Sequence, residues 1–489
     1  MKIRRLLQSV VNLKEYPDLS DFEVKGLSCH SRLTKKNHVF VAIKGNQEDG
    51  RAYIEEAILR GAKAVILEGE RTEKLKKLHH VPFIKVKDAR LALAVLSAIV
   101  YGYPSSRIKV IGVTGTNGKT TVTYLLEALL KEFSAHPGVI GTINYRFQDK
   151  VFPSKNTTPG PLEIQSMLAG MLKQGADYCI MEVSSHALHQ ERTRGIRFHS
   201  AIFTNLTQDH LDYHKTLKDY FESKARLFKD LDPLAFAVIN KDDRFAVRLI
   251  KKTKAQVTTY GLSSRADIMA KNIKLDCQRS TFEILTSQKK MNFSTSLIGR
   301  HNISNILACL AWSIAEGIPL SVAKRAVERF RLVPGRLERV KVDAPFSVFV
   351  DYAHTEDALK NILISLRPLC QKRIILVFGC GGDRDKTKRP KMGKVATELS
   401  DRVIITSDNP RWEDPQDIIQ DIKRGIKKSN FCVVVERPEA ILTALRMAQP
   451  QDIVLIAGKG HETCQILKDK IMPFDDKEFV KECLMSKNY

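Results

Sequence analysis

The sequence is poor in tryptophan, with two in 489 residues, and poor in acid relative to base: 55 Asp+Glu against 79 Lys+Arg, a formal charge of +24. Its nine cysteines are an odd number and none forms a C-x-x-C pair. That excludes a disulfide framework or a zinc ribbon, and points to a reducing compartment. No long apolar run is present. The longest uncharged one, Leu91 to Pro104, is too short to cross a bilayer. The start, MKIRRLLQSVVNLKEY, has no apolar h-region, so no signal peptide is expected. No repeat of solenoid length is visible. These absences leave a cytoplasmic chain with no membrane partner.

What is present is an ordinary apolar content, 43%, enough for several cores. At roughly 100–200 residues per domain, the length predicts about three. The positive excess is spread along the chain. It suits anionic small molecules, or nucleic acid if a dense stripe or a known module were present; neither is found. The clusters Lys251, Lys252, Lys254 and Lys423, Arg424, Lys427, Lys428 read as solvated faces.

Short strands at Val39–Ile43, Ala64–Leu67 and Phe83–Val86 alternate with helical stretches at Tyr53–Arg60 and Ala89–Tyr101. The turn-rich YGYPSSR at 101–107 closes this first α/β unit. Next come a continuous apolar strand (Ile108–Val113), a Gly/Thr/Asn turn and a helix (Thr121–Phe133), the opening of a nucleotide-binding domain. Further buried strands read at Tyr178–Val183 and Ala201–Asn205. Pro334-Gly335 is a second break. Beyond it strands at Ser347–Asp351, Arg373–Phe378, Arg402–Thr406, Val433–Glu436 and Asp452–Ala457 alternate with helices, predicting a mainly parallel sheet covered on both faces. The fold class is therefore α/β in three domains: 1–103, a central P-loop domain 104–333 with a parallel sheet, and a Rossmann-like domain 334–489.

The strongest motif is Gly112-Val-Thr-Gly115-Thr116-Asn117-Gly118-Lys119-Thr120-Thr121. Glycines let successive N–H groups face phosphate oxygens, and the helix N-terminus adds positive potential. Lys119 reaches the terminal phosphates and the Thr120 hydroxyl can ligate Mg²⁺. The strict G-x-x-x-x-G-K-[ST] spacing fails, because position 113 is Val and Gly112 comes one residue early. ATP binding is the expectation.

Glu182 ends an apolar strand, where a metal ligand beside a P-loop belongs, although a buried structural Glu would fit too. His210, in TNLTQDHLDYH, is either a ligand or a hydrogen-bonded structural histidine. Lys224, in YFESKARLF, reads by itself as a solvated helix lysine.

Taken together, GTNGKTT, Asn156-Thr157-Thr158-Pro159, EVSSHAL, TNLTQDHLDYH, Gly335-Arg336-Leu337-Glu338, VDYAHT and Gly458-Lys-Gly-His-Glu462 resemble the Mur ligase family, over essentially the whole chain. The branch they resemble adds the third amino acid to a UDP-muramoyl dipeptide. The resemblance implies an ATP- and Mg²⁺-dependent ligase, in which ATP phosphorylates a carboxylate and an amine then attacks the acyl phosphate. It makes the P-loop spacing a family trait.

By position, the resemblance implies that Gly115 to Thr121 bind ATP, with His301, Asn302 and Asn305 near the adenine. Thr120 and Glu182 are similar to ligands of a first Mg²⁺. His210 and a carbamylated Lys224 are similar to ligands of a second, and Lys119, Lys224, Glu182 and His210 to the catalytic set. Asn156, Thr157, Thr158, Ser184, Gln190 and Arg192 match positions that hold the sugar–peptide. In the first domain, a UDP module by resemblance, Ser31-Arg32 matches a D-S-R segment and Asn46-Gln47-Glu48 a second substrate loop. His30 stands where Asp is usual, and Asn46 where His or Lys is common.

The segment Asp408-Asn409-Pro410-Arg411 resembles the signature for meso-2,6-diaminopimelate. An Arg fork can bind the second carboxylate that lysine lacks. Arg384, Gly458 and Glu462 complete that pocket by resemblance, Glu462 receiving the distal ammonium. As a bare four-residue motif, DNPR reads as a polar turn, and Trp412 departs from the smaller residue expected. The competing readings are the same ligation with L-lysine, a folylpolyglutamate synthetase, and a basic P-loop protein that binds nucleic acid. Small-molecule substrates, no nucleic acid, no membrane and a monomer are the expectation.

Overall fold

The computed structural model describes residues 1–45, 48–70, 81–276, 279–287 and 289–485, without the side chain of Asp212. Three separate parallel-rich sheets organise them, each with its own apolar cores.

The first sheet has the order Gly26–Ser28, His38–Ala42, Ala62–Glu68, Phe83–Val86, all parallel. Helices cover both faces, because Val39, Val41, Ala64 and Ile66 point one way, and Phe40, Ala42, Val65 and Leu67 the other. The expected helix over Tyr53–Arg60 is shorter. A 3₁₀ turn fills Gly50–Tyr53, capped by the Asp49 carboxylate, and the α-helix runs Ile54–Leu59.

The central sheet has eleven strands. At its middle Lys109–Thr114 lies between Phe198–Phe203 and Tyr178–Glu182, parallel to both. Val110, Cys179, Met181, Ala201 and Phe203 face one core; Ile111, Val113, Ile180 and Ile202 face the other, under helices Lys119–Glu132 and Arg300–Ala315. Parallel strands place their C-terminal ends together, so the turn after Thr114 and the carboxylate of Glu182 open on one edge. Both flanks of the sheet turn antiparallel: Asn144–Phe147 and Lys150–Pro153 on one side, Ser280–Leu285 and Lys290–Thr295 on the other. These arms are absent from the sequence reading. Lys150–Pro153 is exposed throughout and Lys290–Thr295 fully buries only Phe293 among its apolar side chains, so these strands give little apolar signal.

The third sheet runs Glu338–Val340, Ser347–Asp351, Ile453–Ala457, Ile374–Phe378, Arg402–Ile405, Phe431–Val433, parallel except for the first strand. Ile374, Leu376 and Phe378 enter one core, Ile375 and Val377 the other, which is the two-faced burial expected of a doubly covered sheet. The edge strand expected at Val433–Glu436 sits two residues earlier. Val434 and Val435 still bond to the Ile405 and Ser407 backbone, but as the exit toward helix Arg437–Met447. Among the described residues no helix is long and apolar enough to cross a membrane, and no disulfide forms.

Candidate functional site

The turn between Thr114 and helix Lys119–Glu132 can adopt its course only with glycine at two points. Gly115 (φ 150°) and Gly118 (φ 87°) are in the left-handed half of backbone space. A Cβ on Gly115 would stand 1.9 Å from the Thr204 hydroxyl, and one on Gly118 2.4 Å from Asn305 Oδ1. The loop is therefore packed against the strand end at Thr204 and against the Asn302–Asn305 segment. The Asn302 amide donates to the Ile298 carbonyl at 2.9 Å and accepts from Asn305 at 3.3 Å. His301 Nδ1 lies 3.1 Å from the Ser365 hydroxyl of the third unit. Thr116 hydrogen-bonds Tyr220 at 3.2 Å and the Thr207 amide at 3.0 Å. The Asn117 amide N–H is held by Asn205 at 2.9 Å.

Lys119 folds back on the loop, donating to the carbonyls of Gly115 (2.9 Å) and Thr116 (2.7 Å). Desolvation lowers its pKa, with Glu182 and Asp209 opposing. Lys224 is 2% exposed and donates to the same Gly115 carbonyl at 2.8 Å, its ammonium 4.6 Å from the Tyr220 ring. The solvated-lysine reading is thus corrected. Tyr220, Lys224 and Phe228 recur every four residues on the buried face of helix Leu217–Lys229. Burial, then the charge of Lys119, holds the Lys224 amine well below the ordinary lysine value.

The Glu182 carboxylate is 1% exposed and fully engaged. It accepts from Thr120 at 3.1 Å, from the Thr142 amide at 3.0 Å and from the Thr142 hydroxyl at 2.8 Å. Gly141 clears the way, since a Cβ there would lie 2.6 Å from Glu182 Oε1. His210 sits at φ 55°, its Nε2 3.4 Å from the Asp209 carboxylate and its ring 4.7 Å from His186. Desolvation in the cleft lowers its pKa against the pull of Asp209.

Of the six residues expected to hold a sugar–peptide, Thr158, Ser184, Gln190 and Arg192 are directly linked, Thr157 joins them through Thr142 and Glu182, and Asn156 is held separately by Tyr145. Thr157 meets Thr142 at 3.1 Å; Thr158 donates to the Glu182 carbonyl at 2.8 Å and accepts from the Ser184 amide at 3.0 Å. Arg192 donates to the Thr158 carbonyl (2.8 Å) and to Gln190 Oε1 (2.7 Å), while the Asn156 carbonyl takes the Tyr145 hydroxyl at 2.6 Å. In the first unit the Ser31 hydroxyl is occupied by Glu56 at 2.6 Å, and exposed Glu48 by Tyr53 at 2.9 Å. Among the described residues no hydrogen bond joins these two to the residues above; Asn46 and Gln47 lie outside the described residues.

In the third unit Asn409 is the hub. Its amide donates to Glu462 at 2.7 Å, and its oxygen accepts from Lys459 at 3.2 Å and the Ile466 amide at 3.0 Å. Burial raises the Glu462 pKa, with the Lys459 charge opposing. Gly458 (φ 117°) leaves room for Asp408, whose Oδ2 a Cβ would approach to 2.5 Å. Arg411 (φ 51°), after Pro410, gives its guanidinium to the carbonyls of Gly382 (2.8 Å) and Asn409 (3.4 Å). Arg384 donates to the Asp383 carbonyl at 3.2 Å. Neither arginine has an ion pair among the described residues. Arg384 lines a cavity of about 610 Å³ with Gln208, Leu211, Asp383, Lys386 and Glu413, between the central and third units.

Sequence reasoning missed the contacts that cross between units. Arg336 Nη2 donates to the Thr120 hydroxyl at 3.3 Å, and the Asp357 carboxylate accepts from Asn117 (2.9 Å) and Thr207 (3.0 Å). Arg336 lies in the quoted GRLE motif and Asp357 two residues past VDYAHT, so the signal was local; their targets depend on how the units dock. Thr142 was missed because it lies in a loop with no motif.

The chain matches the Mur ligase middle domain over residues 113–313, the Mur ligase glutamate ligase domain over 335–460 and the Mur ligase family catalytic domain over 23–101. It is 42% identical over 490 residues, 99% of each chain, to the UDP-N-acetylmuramoyl-L-alanyl-D-glutamate–2,6-diaminopimelate ligase of Clostridium tetani. A solved structure of a ligase with that same description superposes with a TM-score of 0.69 at 34% identity, covering 98% of this chain and all of the other. The MurF ligase of Thermotoga maritima in complex with ADP shares the fold, at 19% identity and a TM-score of 0.64, over 90% of this chain and 94% of its own.

Proposed function

Because the chain belongs to the Mur ligase family, we propose that it joins meso-2,6-diaminopimelate to UDP-N-acetylmuramoyl-L-alanyl-D-glutamate, converting ATP to ADP and phosphate and extending a peptidoglycan precursor. The observation that carries the choice of amino acid is the pair Arg411 and Arg384. Both guanidinia rest on backbone carbonyls, close to the Asn409–Glu462–Lys459 cluster. A substrate with a carboxylate and an ammonium at its far end meets complementary groups there; lysine lacks the carboxylate. The three sheets support the limits 1–103, 104–333 and 334–489 for the UDP, ATP and amino-acid domains.

A carboxylate is a poor electrophile because oxide would have to leave. Transfer of the γ-phosphoryl group to the D-glutamyl carboxylate oxygen, with departure of ADP, supplies a good leaving group. The amine nitrogen then bonds the acyl carbon, the C–O bond to phosphate breaks and the nitrogen loses a proton. Loop amides and Lys119 hold phosphate oxygens, and Arg336 lies beside Thr120 to join them. His301, Asn302 and Asn305 border the nucleotide. Asn156, Thr157, Thr158, Ser184, Gln190 and Arg192 orient the muramoyl dipeptide, with Ser31, Asn46, Gln47 and Glu48 at its uridine end.

Thr120 and Glu182 present oxygen donors only, the hard set that suits Mg²⁺, whose shell phosphates and water commonly complete. Magnesium would neutralise charge on the transferring phosphoryl group. Burial, then the charge of Lys119, shifts the Lys224 amine toward its neutral form. A neutral amine can take up carbon dioxide as an anionic carbamate, which with His210 would make a second oxygen-and-nitrogen donor pair.

Phosphate release from ATP, Mg²⁺ and the UDP-muramoyl dipeptide, with each amino acid at equal concentration, tests the reading. Diaminopimelate is expected to drive turnover well above L-lysine; equal or better use of lysine overturns the assignment.

A further inference from the structure

The two arginine-bearing loops are joined by an ion pair between Glu413 and buried Arg389. Chain 409–413 turns back on itself, the Glu413 amide donating to the Pro410 carbonyl at 3.0 Å. The Glu413 side chain then reaches across to the other loop, where its Oε1 accepts the Asp383 amide at 2.6 Å. Beneath, Arg389 holds the same carboxylate with both arms of its guanidinium: Nη1 to Oε2 at 2.9 Å and Nη2 to Oε1 at 2.8 Å. Arg389 is fully buried. Its remaining bonds go to Asp421 at 2.9 Å and to the Gly381 carbonyl at 3.4 Å. Lys386 adds a second, exposed cation on Glu413 at 3.0 Å.

The loops themselves are in backbone contact. The Gly382 amide donates to the Asn409 carbonyl at 2.9 Å. A Cβ on Gly382 would stand 1.9 Å from the Pro410 carbonyl, and one on Gly381 2.9 Å from Arg411 Nη1. Arg384 follows Asp383, and Arg411 lies two residues before Glu413. A fork-on-carboxylate bond fixes direction as well as distance. The carboxylate therefore sets the relative placement of the two guanidinia.

We infer that Glu413, held by Arg389, is a positioning residue for amino-acid selectivity: it spaces Arg384 and Arg411 for a single carboxylate of the incoming amino acid. This rests on the reading of those arginines given above. Substrate carboxylate is recognised by two cations whose separation the buried pair sets, so loosening the pair costs recognition of the distal carboxylate and leaves nucleotide and muramoyl sites as they are.

The test compares kcat and KM of the full-length enzyme with its three variants Glu413→Gln, Glu413→Asp and Asp421→Asn, with melting temperature and circular dichroism confirming folded protein. Glu413→Gln removes the charge under Arg389, and Glu413→Asp keeps the charge but shortens its reach to the Asp383 amide. Either folded variant is expected to raise the KM for diaminopimelate about tenfold or more and to lower its kcat/KM ratio over L-lysine by a similar factor, while KM for ATP and for the UDP-muramoyl dipeptide stays within about twofold. Asp421→Asn touches Arg389 but not the loops, and is expected to keep the ratio. A ratio unchanged in a folded Glu413 variant overturns the inference, as does an equal fall in Asp421→Asn, or a uniform change in all three KM values. If the unaltered enzyme itself does not prefer diaminopimelate, it is the underlying reading of Arg384 and Arg411 that fails.

Discussion

Arg336 and Thr120 meet at 3.3 Å across the seam between the third unit and the phosphate loop. One is a guanidinium carried by the segment that opens the third sheet; the other is the hydroxyl beside Glu182. If Thr120 lies beside the terminal phosphates of ATP as proposed above, the bond puts a cation from one unit at the phosphate site of the other, and docking of the units completes that site.

Replacing Arg336 by alanine is expected to lower kcat by about 10²-fold, the usual scale for loss of one donor aimed at developing charge. Binding of the UDP-muramoyl dipeptide, measured by calorimetry without ATP, should be unaffected. Steady-state phosphate release gives the first number; a kcat close to the original would show that the contact is only a seam.

Lys224→Ala is expected to abolish turnover in plain buffer and to recover part of it with high bicarbonate and a short-chain carboxylate, which can occupy the space of a carbamate. The motive is the burial that holds the Lys224 amine well below the ordinary value. Full activity of the alanine variant without additives would refute the carbamate.

His301, packed on Ser365 of the third unit, has its pKa pushed down to about 4 by burial. Its unfolded value is about 6.5. Below that pH the unfolded chain binds a proton that the folded chain refuses. Stability from this group is therefore complete above pH 6.5 and lost as pH falls toward 4. Melting temperatures from pH 7 to pH 4.5 should fall less steeply in His301→Gln than in the parent; parallel curves would contradict this.

How much of this can be read from sequence depends on how local the cause is. The phosphate loop is visible because strand, glycines, lysine and helix follow one another within the segment that folds together. Glu182 is visible as the charge that ends an apolar run. Lys224 is misread in isolation, although Tyr220 and Phe228, four residues away on either side, mark the face that buries it. Arg336, Asp357 and Thr142 act through neighbours 216, 240 and 40 residues away in the chain. Periodicity cannot encode those distances. The antiparallel arms escape for a different reason: Lys150–Pro153 is exposed throughout, and the alternation of Ser280–Leu285 is carried by only two apolar core residues, Phe282 and Ile284.

The Glu182 carboxylate is shared. Thr120 reaches it from the nucleotide loop, and Thr142 from the turn between Pro137–Ile140 and Asn144–Phe147, where it is itself bonded to Thr157 of the segment proposed to hold the muramoyl dipeptide. A ligand that draws Thr120 away changes how tightly Thr142 is held, and one that moves Thr157 changes what Thr120 can offer. If the two pockets take ATP and the dipeptide as proposed above, their occupancies are linked through this carboxylate, and the linkage is reciprocal: whatever factor ATP contributes to dipeptide affinity, the dipeptide returns to ATP.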